Sequence, residues 1–418
     1  MQGPFPARAC EVAAAADLSN RVFRPASQFV RGTMHLEFPL VFSEEHPENL
    51  WIMKDGEKVV SLVGLLERPI FLFCHPIRTA ALGTVCTDPD YRGRGLASQI
   101  LQKLMQHLRQ RGVRLLIISG NRSLYRRIGA VTAGLVRWVS APARKASAEQ
   151  REGGWTAESW VVREATPQDL PWVLRLYERE SVRFARSLSD LRAFYSALPH
   201  AYAGARFRQL WVAEASGGEV TGGGAAASGE VTGRRGSPLV AYLVTDGPAP
   251  ATAGVGHGVD DSPPIWYALE WGGARQVVWQ MARTLAARHQ VVSINFPLPE
   301  TDVDLALAAR QDGVDVDSLP LASWSGTFVA LDPAGLVSDL SPLLGCELTR
   351  GLTEALARGS VTGETLPAIL FGASKGWWDG DRQAWAAKLS ELTGVSGGFL
   401  LEHPLPLPLV WGSTLNFV

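Results

Sequence analysis

The chain has 418 residues, 46% of them apolar and 19% charged, which is too long for one ordinary core and too apolar for a disordered chain, so two or three packed domains are expected. Its 40 basic and 41 acidic side chains leave a formal net charge of −1, and no global field draws it to nucleic acid or to an anionic membrane. Cys10, Cys74, Cys86 and Cys346 are scattered without a CxxC pair or metal-ligand spacing, and no apolar run approaches the roughly 18 residues of a spanning helix; a cytoplasmic protein with reduced thiols, no metal and no membrane partner is the expectation.

At the start of the chain there is no basic segment, and Glu11 and Asp17 bracket the alanine-rich stretch that would imitate a signal peptide. Strand and helix signals then alternate from about residue 50 to 139. Residues 50–53 and 58–66 read as strands joined by the hairpin dipeptide Asp55-Gly56, and 71–87 as a longer strand region ending at Asp88-Pro89-Asp90. Residues 96–110 place Leu96, Ile100, Leu101, Leu104, Met105 and Leu108 on one helical face, and Gly112 stops that helix. Residues 113–119 are nearly all apolar, as a strand buried on both faces would be. A small helix over 122–128 and a last strand near 130–139 close this part.

A polar, Ala/Gly-rich stretch at 142–154 reads as a linker, after which the pattern restarts. Residues 160–165 suit a strand; Thr166 suits a helix N-cap, with Pro167 as the first helical residue and Asp169 near the positive helix end. Residues 217–236 contain Gly-Glu-Val-Thr-Gly twice and read as a flexible surface insertion; 247–264 is a second such loop. A strand (265–271), the turn Gly272-Gly273, a helix (274–289) and a strand (291–296) then repeat the order of residues 71–119. One topology thus occurs twice, in segments 1–145 and 155–334, followed by a tail, 335–418, with helices at 352–357 and 382–392 and a Pro-rich end.

The chemistry concentrates between a strand and the most periodic helix, at Tyr91-Arg92-Gly93-Arg94-Gly95-Leu96-Ala97-Ser98. A helix N-terminus offers unsatisfied N–H groups and about half a positive charge, which holds phosphate. Gly93 and Gly95 let the backbone approach an anion, and Arg92 and Arg94 add charge-assisted bonds. A Walker loop would need a lysine that is absent, and a dinucleotide fingerprint would need glycine where Ser98 stands. The pattern Arg/Gln-x-x-Gly-x-Gly/Ala is met by Arg92, Gly95 and Ala97.

Together with Val85-Cys86-Thr87-Asp88-Pro89-Asp90 before it, this loop resembles the core motif of the GNAT superfamily of N-acetyltransferases. The resemblance implies acetyl-CoA as co-substrate, backbone groups of Val85, Cys86 and Thr87 facing its pantetheine, and its pyrophosphate bound by Arg92, Gly93, Arg94, Gly95, Leu96, Ala97 and Ser98. Leu124-Tyr125-Arg126-Arg127-Ile128-Gly129 resembles the family's aromatic-Tyr-x-x-x-Gly segment, with Leu124 in place of the usual aromatic. By that register Tyr125 would protonate the departing thiolate; a packing role for the ring is the alternative. The doubled topology with a tail is similar in layout to the enhanced-intracellular-survival acetyltransferases. That layout implies tandem GNAT-like mixed sheets flanked by helices, the second one degenerate, and a small α+β, sterol-carrier-like C-terminal domain.

In that family the terminal carboxylate, here Val418, acts as the base, and subunits form homo-oligomers; the alternative is that Phe417 and Val418 only pack. The opening strand before Cys10 looks weak or missing. In the second copy, Trp271-Gly272-Gly273-Ala274-Arg275 lacks the loop spacing, so that copy is expected to be structural or to wall the substrate cleft. Glu37, Glu44, Glu45 and Glu48 would form an acidic lip for a small-molecule amine, or a solvated loop. A protein lysine as acceptor and a non-catalytic acetyl-CoA sensor are the rival readings. His75 and His403 flank prolines and suit loop or packing roles, and Trp377-Trp378 suits a core or an interface.

Overall fold

The structure, a computed structural model, describes residues 1–24, 33–144, 160–198, 206–215, 239–248, 264–323, 326–372, 381–403 and 405–409. Its first half runs β1 (Gln2–Pro6), α1 (Ala9–Phe23), α2 (Met34–Glu37), β2 (Leu50–Asp55), β3 (Lys58–Glu67), β4 (Ile70–Leu72), β5 (His75–Ile77), β6 (Thr79–Thr87), α3 (Leu96–Gln110), β7 (Leu115–Ile118), α4 (Ser123–Arg126) and β8 (Leu135–Pro142). The second runs β9 (Trp160–Glu164), α5 (Leu170–Tyr177), β10 (Val182–Phe184), α6 (Leu188–Ala197), β11 (Arg206–Ala215), β12 (Leu239–Pro248), β13 (Trp266–Gly273), α7 (Arg275–Arg288), β14 (Ser293–Pro299), α8 (Val303–Gln311), β15 (Leu321–Ser323) and β16 (Thr327–Ala330). The tail supplies α9 (Pro333–Asp339), α10 (Ser341–Arg358), α11 (Leu366–Phe371), α12 (Arg382–Thr393) and α13 (Gly397–Glu402).

Two mixed sheets result. The first has the order β1-β2-β3-β6-β7-β16 and the second β15-β8-β14-β13-β12-β11-β9. Each half is a run of antiparallel strands ending in one parallel pair joined by a helix, β6-α3-β7 and β13-α7-β14. The doubled topology read from the sequence is therefore present. The strand expected near residues 130–139 forms over Leu135–Pro142, but it does not finish the first sheet. It pairs antiparallel with β14 in the second, while β16 crosses back to pair antiparallel with β7 in the first. Each parallel pair is closed by a strand from the other half, so no single cut between residues 145 and 155 separates two complete sheets.

Three further expectations need correction. The opening strand is formed: Gln2–Pro6 pairs antiparallel with β2. Pro4 and Pro6 hide it from a sequence reading, but an edge strand tolerates prolines that a central one would not. The long strand over 71–87 is broken by a turn at Phe73-Cys74, both with positive φ, into the β4–β5 hairpin and β6. The tail shows five helices and, among the described residues, no strand, so the β part of the expected α+β segment is not seen there.

The core explains the layering. α3 forms over the expected residues, and its apolar face packs with Met53, Val63, Leu116 and Ile118 on one face of the first sheet. Burying each such side chain contributes about 1.5–3 kcal/mol, well beyond any helix propensity difference. α1 and α2 cover part of the opposite face, against Ile52, Leu62 and Ala81. The tail covers the rest: Leu336, Leu344, Leu352 and Ile369 pack on Leu115, Ile117 and Phe328. β7 is therefore buried on both faces, as its unbroken apolar run requires. In the second sheet α7 and α8 cover one face, and α5 and α6 the other. Thr166 caps the entry to α5 as expected, its N–H and hydroxyl donating to the Asp169 carboxylate at 2.7 and 2.8 Å.

Candidate active site

The site is built where β6 outruns its parallel neighbour. β6 pairs with β7 from Thr79 to Leu82, and the last bond is a long one from the Ser119 N–H to the Leu82 carbonyl, at 3.4 Å. Beyond it, β6 continues to Thr87 while β7 has ended, so the two splay. On its other side β6 stays with β3, matching Cys86 to Leu62 and Thr87 to Ser61, across a bulge at which Thr84 has φ +46°. Gly64 faces that bulge: a Cβ there would lie 2.2 Å from Thr84 Oγ1. Val85, Cys86 and Thr87 thus form the free flank of the splay. The Ser61 hydroxyl donates to the Cys86 carbonyl at 3.0 Å and lies 2.9 Å from Thr87 Oγ1, which fixes the strand from the β3 side. Burial pushes the Cys86 thiol up to about 12, so it stays protonated and is no nucleophile.

After Thr87 the chain turns through Asp88, whose carboxylate accepts from Asp90 N–H at 3.1 Å and pairs with Lys58 at 2.9 Å and Arg21 at 3.5 Å. Burial alone would raise the Asp88 carboxyl; the bonds from Lys58 and from the Asp90 amide outweigh it and hold it below the ordinary range. Tyr91 braces the loop from the other side, its hydroxyl donating to Asp55 Oδ2 at 2.8 Å. The Arg94 guanidinium stands 4.7 Å from the Tyr91 ring and donates to the Asp90 carbonyl at 3.1 Å, so its direction is set before any ligand arrives. These braces come from α1 and from the β2–β3 hairpin. No sequence spacing announces them.

Arg92, Gly93, Arg94 and Gly95 are all exposed, and both glycines have positive φ, +77° and +71°. A Cβ at either would meet no protein atom within 4 Å, so the space over the loop is open. Gly95 is the N-cap of α3 and supplies no side-chain cap; the Gln99 N–H is the first to reach back into the helix, to the Gly95 carbonyl at 3.0 Å. The amides of Leu96, Ala97 and Ser98 are left pointing out of the helix end. Three free N–H groups, a positive helix end and two arginines are an arrangement suited to an anion.

Tyr125 sits on α4, just past the end of β7. Its ring is buried with Leu116, Ile118 and Ala130, and its hydroxyl makes no hydrogen bond to a described residue and is not sealed from solvent. Burial raises the phenol above its ordinary range, with Arg122 opposing, so it holds its proton at neutral pH. Gly129 has φ +83° and lets the chain turn back, where the Ala130 N–H bonds the Tyr125 carbonyl. Val418 and Trp377-Trp378 lie outside the described residues. Of the expected acidic lip, Glu44, Glu45 and Glu48 are exposed, but Glu37 is buried and bonded to Arg24 Nε at 2.8 Å. His403 is a packing residue, its Nε2 3.0 Å from the Leu344 carbonyl.

Residues 6–133 match the acetyltransferase (GNAT) domain family. The chain carries a GNAT acetyltransferase domain. The match covers β2, β3, β6, α3 and β7 together with the loop and Tyr125, so the first half is an acyl-CoA-dependent N-acyltransferase domain. Over most of the chain the fold is similar to a GCN5-related N-acetyltransferase from Anabaena variabilis (TM-score 0.51, 12% identity, 79% of this chain and 73% of that one). Another from Kribbella flavida gives 0.50 at 14% identity, with 80% and 72% covered. Eis1 from Mycobacterium abscessus gives 0.43 at 13%, with 70% and 67% covered. No curated protein matches the chain by sequence.

The second half departs from the GNAT domain at the anion seat. The place equivalent to residues 92–98 is the start of α7, and it is filled from within. Glu180 accepts from the Gly273 N–H at 3.3 Å and from Arg275 Nη1 at 3.0 Å; Asp302 accepts from Arg275 Nε at 2.9 Å and from the Trp271 indole at 2.9 Å. Two carboxylates stand where a pyrophosphate would have to enter, and each would repel it. Calorimetric titration is expected to give one acetyl-CoA per chain; a stoichiometry of two would show that α7 accepts the anion despite Glu180 and Asp302.

Proposed function

We propose that the chain transfers the acetyl group of acetyl-CoA to a primary amine of a small cationic molecule. The observation that carries this reading is the splayed end of β6 leading into the bare, doubly glycine-turned N-terminus of α3. The residues present fit the co-substrate: the open space over Gly93 and Gly95 and the free amides of Leu96, Ala97 and Ser98 suit its pyrophosphate, with Arg92 and Arg94 adding charge. Val85, Cys86 and Thr87 offer main-chain groups to the pantetheine arm and polarise the thioester carbonyl. Tyr125 delivers a proton to the sulfur as the thiolate departs. The exposed Glu44, Glu45 and Glu48 favour a cationic acceptor. Thiol release from acetyl-CoA, followed with a panel of small diamines, aminoalcohols and lysine peptides, tests the reading: turnover with the small amines is expected. Turnover with the peptides alone would make a protein lysine the acceptor, and binding without turnover would make the chain a sensor.

An acceptor amine is mostly protonated at neutral pH and needs a base, and Val418 is assigned that role. The tandem halves followed by a tail resemble the layout in which a terminal carboxylate does this work. Upstream of it, Leu405 and Leu407 are buried and the Leu407 N–H is bonded to the Leu370 carbonyl at 2.6 Å. An α-carboxylate has a reference pKa of about 3.3–3.7, so it acts through burial or a water relay. Amidation of Val418, or extension by two glycines, is expected to leave acetyl-CoA affinity unchanged and to remove most turnover, by about 100-fold. An amidated chain with full turnover would place the base elsewhere.

A further inference from the structure

A cavity of about 750 Å³ lies not in the GNAT domain's own splay but in its counterpart in the second half. β13 and β14 pair only at Trp266–Ile294 and Tyr267–Asn295 and then diverge, and the cavity fills the opening between them. In the first half the same opening runs up to a free helix end. Here the helix end is closed by Glu180 and Asp302, with Arg275 between them. Asp302 also caps α8, accepting from the Leu305 N–H at 3.2 Å, so two helix N-termini and one guanidinium face two carboxylates. That floor is electrostatically satisfied and presents no free charge to a ligand.

Two carboxylates of the walls are paired as well. Glu270 is held by Arg186 through two bonds of 2.8 Å, and Glu300 pairs with Arg137 at 3.3 Å. Arg179, Arg183 and Asp304 also line the cavity, the Arg183 guanidinium 4.3 Å from the Phe71 ring. The apolar lining comes from Leu135, Val136, Leu269, Trp271, Phe371 and Leu407, contributed by β8, β13, α11 and the tail. A cavity of this size lies in the range that takes a small molecule, and a lining shared between apolar side chains and largely paired polar groups favours one without net charge.

We infer that the opening of the second half is a binding site for an uncharged small molecule with an apolar part, distinct from the acetyl-CoA site. It does not depend on the transfer reaction, so a chain that fails to transfer acetyl leaves it standing. The probe is N-phenyl-1-naphthylamine, neutral at pH 7 and fluorescent in apolar surroundings; its sulfonated relative anilinonaphthalene sulfonate supplies the anionic arm. The full chain is expected to bind one neutral probe, more tightly than the sulfonate, with no displacement by saturating acetyl-CoA. Leu269→Trp fills the opening from β13 and Val136→Trp from β8. Each is expected to weaken the probe at least about tenfold while leaving acetyl-CoA binding intact. Leu269→Asp adds a charge without bulk and should do the same if either tryptophan variant fails to fold. No probe binding, displacement by acetyl-CoA, preference for the sulfonate, or unchanged affinity in the folded variants would each overturn the assignment.

Discussion

Replacing Gly95 with valine is expected to abolish measurable acetyl-CoA binding, a loss of at least ~100-fold or about 2.8 kcal/mol. Two costs have to be separated. Gly95 has φ +71°, and a β-branched residue in that left-handed conformation costs about 1–2 kcal/mol of backbone strain. That strain falls on stability, whereas the binding loss comes from the ligand: the Cβ points into space that is open for 4 Å around it, which is the space assigned to the pyrophosphate. Gly359 provides the matched control. It closes α10 with φ +75° and an equally open Cβ position, but it belongs to the tail and not to the loop. Gly359→Val should lose a similar amount of stability in thermal unfolding and keep acetyl-CoA affinity in calorimetry. Gly95→Ala should fall between wild type and Gly95→Val. If Gly95→Val folds and binds as the wild type does, the loop is not the anion seat.

The loop was legible in the sequence because its physics is local. Positive-φ turns need glycine, the α3 face repeats at helical spacing, and Tyr125 keeps register with Gly129, all within a few residues of chain. The strand exchange was not legible for the opposite reason. β8 alternates and β16 is a short buried run, but either pattern suits either sheet, and only the assembled packing decides the partner. The seat on α7 is a similar case. Sequence showed that Gly272-Gly273 lacks the loop pattern, yet not that Glu180, 93 residues before Gly273, would occupy the place. Glu37 taught the same lesson with charge. It reads as part of an acidic lip until the structure brings Arg24 against it in a buried pair. The Phe73-Cys74 turn carried no glycine or proline to announce it.

Tyr125→Phe is expected to lower kcat and kcat/KM together by ~100-fold, with acetyl-CoA affinity nearly unchanged. The substitution keeps the ring that packs with Leu116, Ile118 and Ala130 and removes only an oxygen. That oxygen bonds no described residue, so its loss should move stability by no more than about 0.5 kcal/mol. A large kinetic effect beside a small thermal one is therefore the signature of proton donation. The pH profile supplies an independent readout. Burial raises the phenol above its ordinary range, so the group stays protonated through neutral pH and loses its proton only in the alkaline range. The wild type should show an alkaline limb in kcat as the donor ionises, and the phenylalanine variant should lack that limb at its lower rate. Tyr125→Leu, which disturbs the packing as well, should add a stability loss without much further kinetic loss. If Tyr125→Phe retains full turnover and the alkaline limb, the side chain belongs to the core alone, and the thiolate takes its proton from solvent through the open end of the β6–β7 splay.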